Sequence, residues 1–492
     1  MQLFLGVLVI AAGIWAVSRR VDVRLALLLT ALVLGVLAGN PAAIVRKFLE
    51  TFSNERFVVP ICTAMGFAYV LKLTECDRHL VQLLIQPLTR VRPLLVPGTI
   101  LVGFLVNIPV VSQTSTAITL GAVAIPILLA ARVPSATIGA ALLLGSSIGG
   151  ELLNPGAPEL RTVVEESSHA ALSRGLPIPG LTADLVAHIL PLDLIGLAAA
   201  VLVFWFMSRK DDAIPPPESS AEPAPAFRVN LFKAMIPVLP LALLFLTSPP
   251  LNLIRVPPRW LLETKSRAVP EAVLTTGGVA PAAAFPTTIP WGALGARLQP
   301  PEARLSPADR GLFDCRLIGA AMLIGVAAAA LSARHTVLKS AAAFFDGAGY
   351  GFTHIISLIV TATCFGEAVR LIGLASLLGD LIRFMPALLM PIAGVLPLAF
   401  GALCGSGMAT TQSLFGFFVE PALTLEINPF WVGAMVSLSS AAGRTVSPFA
   451  AVTLMCGTLT KTDALKLSAR VAPPLLAAVA VEVVVAMLLA YL

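Results

Sequence analysis

Two charged residues lie deep in apolar stretches, Glu151 in the string GELLNP and Arg444 in GRTVSP. A charge at the centre of a membrane costs from about 3 to more than 10 kcal/mol, depending on the scale, so each must face a cavity or a partner. The two hold equivalent places in two matching strings, which leaves two readings open. They pair with each other as a structural ion pair. Alternatively, Arg444 presents its guanidinium fork to a carboxylate while Glu151, with Gly150 and Gly443 beside the pair, holds a sodium ion or a proton. Glu420, Glu367 and Asp193 are weaker candidates, since each lies near a segment end from which a carboxylate can reach the interface.

Two polar interruptions accompany these strings. SQTS, at 112–115, separates the short apolar segments 94–111 and 116–130, which Pro97, Gly103, Pro109, Gly121 and Pro126 break up; CGSGMATT, at 404–411, splits a second apolar pair at 388–424. A tight polar tip between two short, Pro- and Gly-broken segments reads as a re-entrant hairpin. Broken helices supply N-termini and unwound backbone N–H groups, which favour small anions. The candidate sites are therefore the tips 112–116 and 405–411 and the breaks 149–155 and 443–448. Small hydroxyl residues at such places donate hydrogen bonds without blocking backbone approach, although Ser, Thr and Gly also serve simply to let helices pack closely.

Other chemistry finds less support. Gly145, Ser147 and Gly149 spell G-x-S-x-G, but a nucleophile elbow needs a strand before it and an Asp and a His to follow, and His354 is the one histidine expected within the membrane. Six scattered cysteines with no C-x-x-C indicate neither a disulfide framework nor a zinc site. No other cofactor motif is present, and a channel-like pore would call for rings of charge in place of paired hairpins.

The elements that must position these residues follow from hydropathy. Of 492 residues, 57% are hydrophobic and 12% charged, against roughly 45 to 50% hydrophobic in a soluble domain. Lipid is the expected solvent, and a bilayer core of about 30 Å takes about 20 apolar residues per helix. Spans are expected near 2–17, 25–39, 57–73, 137–152 and 188–207, with the first hairpin after the third. The same order recurs at 231–249, 313–331 and 354–373, then the second hairpin, then 430–447 and 472–491. The net charge of +6 reflects Lys and Arg at segment ends, so no nucleic-acid partner is inferred.

Spacing marks a duplication. Gly121, Pro126 and Pro134 recur as Gly416, Pro421 and Pro429 at an offset of 295; Gly150, Asn154 and Pro155 meet Gly443, Ser447 and Pro448 at 293. Five crossings plus a hairpin is an odd number, so the copies are expected to be inverted repeats, at 1–210 and 231–492. The Pro-rich stretch 211–230 becomes a cytoplasmic linker and 250–312 an extracytoplasmic insertion. Counting Lys and Arg with the N-terminus outside puts seventeen on inner faces and seven in short outer loops, Arg161 among the latter. The N-terminal run has its charges after it, as a membrane helix does, and the expected location is a bacterial inner membrane.

The strings GSGMATTQSLFGFFVEP, INPFWVGAM and GRTVSPFAAVTLM, and more loosely GFAYVLKL and SQTSTAITLGAVAIP, resemble the DcuC-type C4-dicarboxylate carriers of the ion-transporter superfamily. The likeness spans roughly 57–210 and 340–490. It implies an all-α polytopic membrane protein that moves succinate, fumarate, malate or another organic anion or amino-acid derivative, by cation symport or anion exchange. Superfamily relatives are elevator carriers, and a homodimer is compatible with that. Carried over residue by residue, the resemblance puts Ser112, Ser115, Thr116, Ser406, Gly407, Thr410 and Thr411 at substrate-binding tips and Asn154, Arg444, Thr445 and Ser447 at the breaks. Cys404 and Met408 make the second tip less polar than a dedicated carboxylate site, and Glu151 adds a negative charge beside an anion.

Overall fold

The computed structural model describes residues 2–19, 21–90, 94–209, 228–247, 253–262, 307–374, 382 and 384–491. The expected linker at 211–230, except its last three residues, and the expected insertion at 250–312, except 253–262 and 307–312, lie outside them.

The first half runs α1 (Gln2–Ser18), α2 (Val23–Leu37), α3 (Pro41–Phe52), α4 (Glu55–Thr74), α5 (Cys76–Ile85), α6 (Leu95–Asn107), α7 (Gln113–Ala130), α8 (Ser135–Ser147), α9 (Pro158–Ser173) and α10 (Thr182–Ser208). The second runs α11 (Leu231–Met235), α12 (Leu239–Thr247), α13 (Pro307–Ser332), α14 (Val337–Gly351), α15 (Ser357–Leu371), α16 (Leu389–Cys404), α17 (Gly407–Leu414), α18 (Gly416–Thr424), α19 (Pro429–Val446), α20 (Ala451–Thr460) and α21 (Ala464–Tyr491). No strand occurs among the described residues. Eight helical segments there are long and apolar enough to cross a membrane. Helices satisfy every backbone group internally, as lipid requires. The chain is an all-α, multi-pass membrane protein.

The main helix pairings are few. α4 lies against α13 and α14, and α2 against α15; α6 packs on α8, α16 on α19, and α10 on α21. Small residues set the close spacing of the α6–α8 and α16–α19 pairs. A methyl on Gly103 would come within 2.8 Å of the Gly145 Cα, and one on Gly443 within 2.4 Å of the Leu398 carbonyl oxygen. Such glycine contacts bring helix backbones together where lipid supplies no hydrophobic drive.

Several elements depart from the expected spans. α3 is an amphipathic helix that starts at Pro41 behind an Asn40 cap, and α9 and α20 follow the two breaks where loops were expected. The span expected at 354–373 begins instead at Val337 and bends through a π-helical turn, Phe352–Ile356, between α14 and α15. Such turns insert an extra residue into the helical ladder and are frequent at functional sites. Arg161, counted above among outer-loop charges, sits on α9 and is fully buried. It pairs with Asp314 at 2.6 Å and donates to the Thr182 hydroxyl at 2.9 Å.

Candidate functional site

The two polar tips become helix caps. Ser112 closes the α6–α7 hairpin, its hydroxyl accepting from the Ser115 N–H at 3.3 Å. Ser406 does the same for α17, accepting from the Ala409 N–H at 3.2 Å. Just before it Gly405 turns the chain with φ +70, and a side chain there would also meet the Ala450 backbone.

The helices that follow the breaks start alike. Ala157, before α9, has φ −65 and ψ 135; Ala450, before α20, has φ −64 and ψ 138. Neither start carries a side-chain cap, so first-turn N–H groups are left for other partners. All four helix starts meet at one cavity of about 170 Å³. Its wall includes Ser112, Gln113 and Thr114 from the first tip, Gly405 to Met408 from the second, Pro158 and Glu159 from α9, and Ala450 to Val452 at α20. The bent helix adds Tyr350 and His354, stacked with ring centroids 4.1 Å apart.

Arg444 lies at the base of this cavity, 7% exposed. Its Nη2 donates to Glu151 Oε1 at 2.6 Å and to the Ser147 carbonyl at 2.8 Å, while Nε donates to the Ser147 hydroxyl at 3.1 Å. Asn107 donates to the other oxygen of Glu151. The ion pair between the halves therefore exists, and it is held by hydrogen bonds on both sides, as a desolvated pair must be. It does not use the whole guanidinium. Nη1 carries none of these bonds and lies 3.3 Å from where a Gly407 side chain would begin. Nη1 thus faces the second tip, and one arm of the fork remains for a ligand.

Of the other sequence candidates, Ser112, Ser406 and Gly407 line the cavity with Arg444. Thr116, Thr410, Asn154, Thr445 and Ser447 spend their polar groups on the protein. Thr116 donates to the Val110 carbonyl and Thr410 to the Ser406 carbonyl. Asn154 donates to the Ile108 carbonyl at 2.9 Å and accepts from the Gly156 N–H at 2.8 Å, fastening the first break to the end of α6, just before the first tip. The Thr445 hydroxyl lies within 2.8 Å of the Ser147 carbonyl and 2.7 Å of the Ala441 carbonyl, with one proton to share between them, and Ser447 accepts from the Phe449 N–H. Ser115 is half-buried beside Ser112, and Thr411 is buried with its hydroxyl unpartnered. Gly150 and Gly443 act by closeness: a side chain on Gly150 would strike the Phe104 carbonyl oxygen at 2.5 Å.

Ser147 of the G-x-S-x-G string holds Arg444 and pairs with the Thr445 hydroxyl at 2.8 Å, contacts that involve no histidine or aspartate. Asp193, expected near a segment end, is instead buried within α10. On the same face of α10, the Glu482 carboxylate occupies the space a Gly196 side chain would fill. Glu420 and Glu367 do reach outward, to Arg174 and Arg370. Glu159 and Tyr350 were not singled out from the sequence, and His354 was named only as the one histidine expected within the membrane. The available signal for Glu159 was an acidic residue right after Pro158, the pattern of a helix first turn.

No family model matches the chain. A protein of Haemophilus influenzae named as an uncharacterized transporter is 35% identical over 142 residues, which is 98% of that relative and 28% of this chain. The chain belongs to that transporter family. A second Haemophilus influenzae protein, likewise named as an uncharacterized transporter, is 26% identical over 159 residues, 57% of its length and 32% of this chain. Membership among transporters points away from an enzyme. It fits a helical chain whose polar groups converge on a cavity enclosed by hairpin tips.

Proposed function

We propose that this chain is a secondary carrier of small organic anions, of the C4-dicarboxylate kind that its motifs resemble, and that the cavity between the tips is the substrate site. The observation that carries the reading is the convergence of four helix N-termini and Arg444 Nη1 on one space. Helix starts with free N–H groups attract carboxylates, and a guanidinium arm binds one directionally. In this reading the halves are inverted repeats in a bacterial inner membrane, the hairpins are re-entrant, and the linker at 211–230 is cytoplasmic. The hairpins and broken helices then move against the first two spans of each half as an elevator does, with a sodium ion or proton as the coupling ion.

The test is bulk at the tips. Gly407→Val would crowd both Arg444 Nη1 and the Ser440 carbonyl oxygen, which lies 3.1 Å from a side chain at that position. Gly407→Val and Ser112→Leu should each abolish carboxylate uptake into proteoliposomes while the protein still inserts and elutes as a folded species. Normal uptake by the two together would remove the cavity as the substrate site.

A further inference from the structure

Resting on the carrier reading, we infer that the transported carboxylate also bears a protonated amine, which Glu159 receives. Glu159 lines the cavity and is 2% exposed, and its Oε2 is buried without any hydrogen-bond partner. A buried carboxylate oxygen with no donor is costly unless a ligand supplies one. No described residue of the wall donates to it. Among the described lining residues Arg444 is the one Arg or Lys, and Glu151 already neutralises it from behind at 2.6 Å. His354 is exposed, with its Nδ1 turned to the Tyr350 carbonyl at 3.2 Å.

The two matching helix starts on the wall therefore differ in what they offer a ligand. On the α20 side the helix start carries Val452, and with Arg444 Nη1 and the α17 start nearby it offers donors to a carboxylate. On the α9 side Glu159 occupies the matching position, 293 residues earlier, and makes that helix start an acceptor. A dianion alone would bring two more negative charges to a wall that holds Glu159 and whose one described arginine is already paired with Glu151 behind it. A carboxylate with an ammonium group matches donor to acceptor at both helix starts.

Ligand pairs that differ only in the amino group test this: aspartate against succinate, glutamate against glutarate, alanine against propionate. Binding would be followed by thermal shift of the purified full chain, and uptake in proteoliposomes, in sodium and in sodium-free choline buffer. The expected result is a preference of about tenfold or more for the amino member of at least one pair, in both buffers. Glu159→Gln should lower that member's affinity about ten- to a hundredfold and leave its desamino partner unchanged or tighter. The melting temperature without ligand should hold. The inference is overturned if no pair favours its amino member, a result the wild-type chain alone can give even if the variant fails to fold. It is also overturned if Glu159→Gln removes a sodium dependence equally for both members, which would make Glu159 a cation ligand. In either case uptake of the desamino carboxylates would leave the carrier reading standing, whereas no binding of any pair would end both.

Discussion

The breaks at 149–157 and 443–450 share a spacing of glycine, charge and proline, yet the chain follows them differently. In the first, α8 stops at Ser147, Gly149 adopts φ +139, and Glu151 sits in a 3-10 turn, Gly150–Leu153, before α9 begins. In the second, α19 continues unbroken to Val446 and carries Arg444 in its last turn. The cause is one residue. Ala442 stands where the first half has Gly149, and a residue with a side chain does not readily take a positive φ, so the helix runs on. The lesson is that a matched frame can hold unmatched chemistry. Glu151 meets Arg444 across the halves at 2.6 Å, and Glu159 faces the cavity where its counterpart is Val452.

The strongest way to break this comparison is to remove one charge. Arg444→Gln leaves Glu151 buried with only Asn107 for a partner, and should destabilise the fold by about 3 to 5 kcal/mol in a denaturation series. Glu151→Gln with Arg444→Gln should recover most of that stability and none of the uptake. Recovery of uptake in the double variant would make the arginine a structural partner alone. Arg444→Lys keeps the charge, and its loss of the fork should still weaken carboxylate binding.

Next in size is the close helix approach that both halves share. Gly443→Ala would set a methyl 2.4 Å from the Leu398 carbonyl oxygen, and Gly103→Ala one 2.7 Å from the Gly145 carbonyl carbon. Each should cost about 1 to 3 kcal/mol in melting experiments, since the obstacle is backbone. A loss confined to one of them would show that only one hairpin is held by its glycine contact.

Much of this frame was legible in the sequence. The long apolar runs marked most spans, and the constant offset between Glu151 and Arg444 left their pairing as one of two readings. The helices after the breaks were not legible. α9 is rich in Glu and Ser, so hydropathy alone takes it for a loop, and with it went the roles of Arg161 and Glu159. The bend between α14 and α15 was hidden because GYGFTH carries no proline to announce it. Thr445 and Asn154 looked like ligand groups because of their residue type. Only the partners they find, Ser147 and the Ile108 carbonyl, show their polar atoms already engaged.

The smallest expected effect sharpens the difference in how each break is fastened. Asn154→Ala removes a bond to the end of α6 and one to the Gly156 N–H, and should cost about 1 to 3 kcal/mol. Ser447→Ala removes one long contact of 3.4 Å to the Phe449 N–H, and should cost about 1 kcal/mol or less. Equal losses in thermal melts would mean that the two breaks are held alike after all.

The most direct measurement is protection of the tips by substrate. With the six native cysteines replaced by serine or alanine, Ser112→Cys and Ser406→Cys each place a thiol on the cavity wall, while Ser173→Cys places one at the far end of α9. A transported carboxylate at saturating concentration should slow maleimide labelling at 112 and 406 and leave 173 unchanged. Labelling at both tips that is indifferent to every carboxylate the protein transports would contradict the cavity as the place where substrate binds.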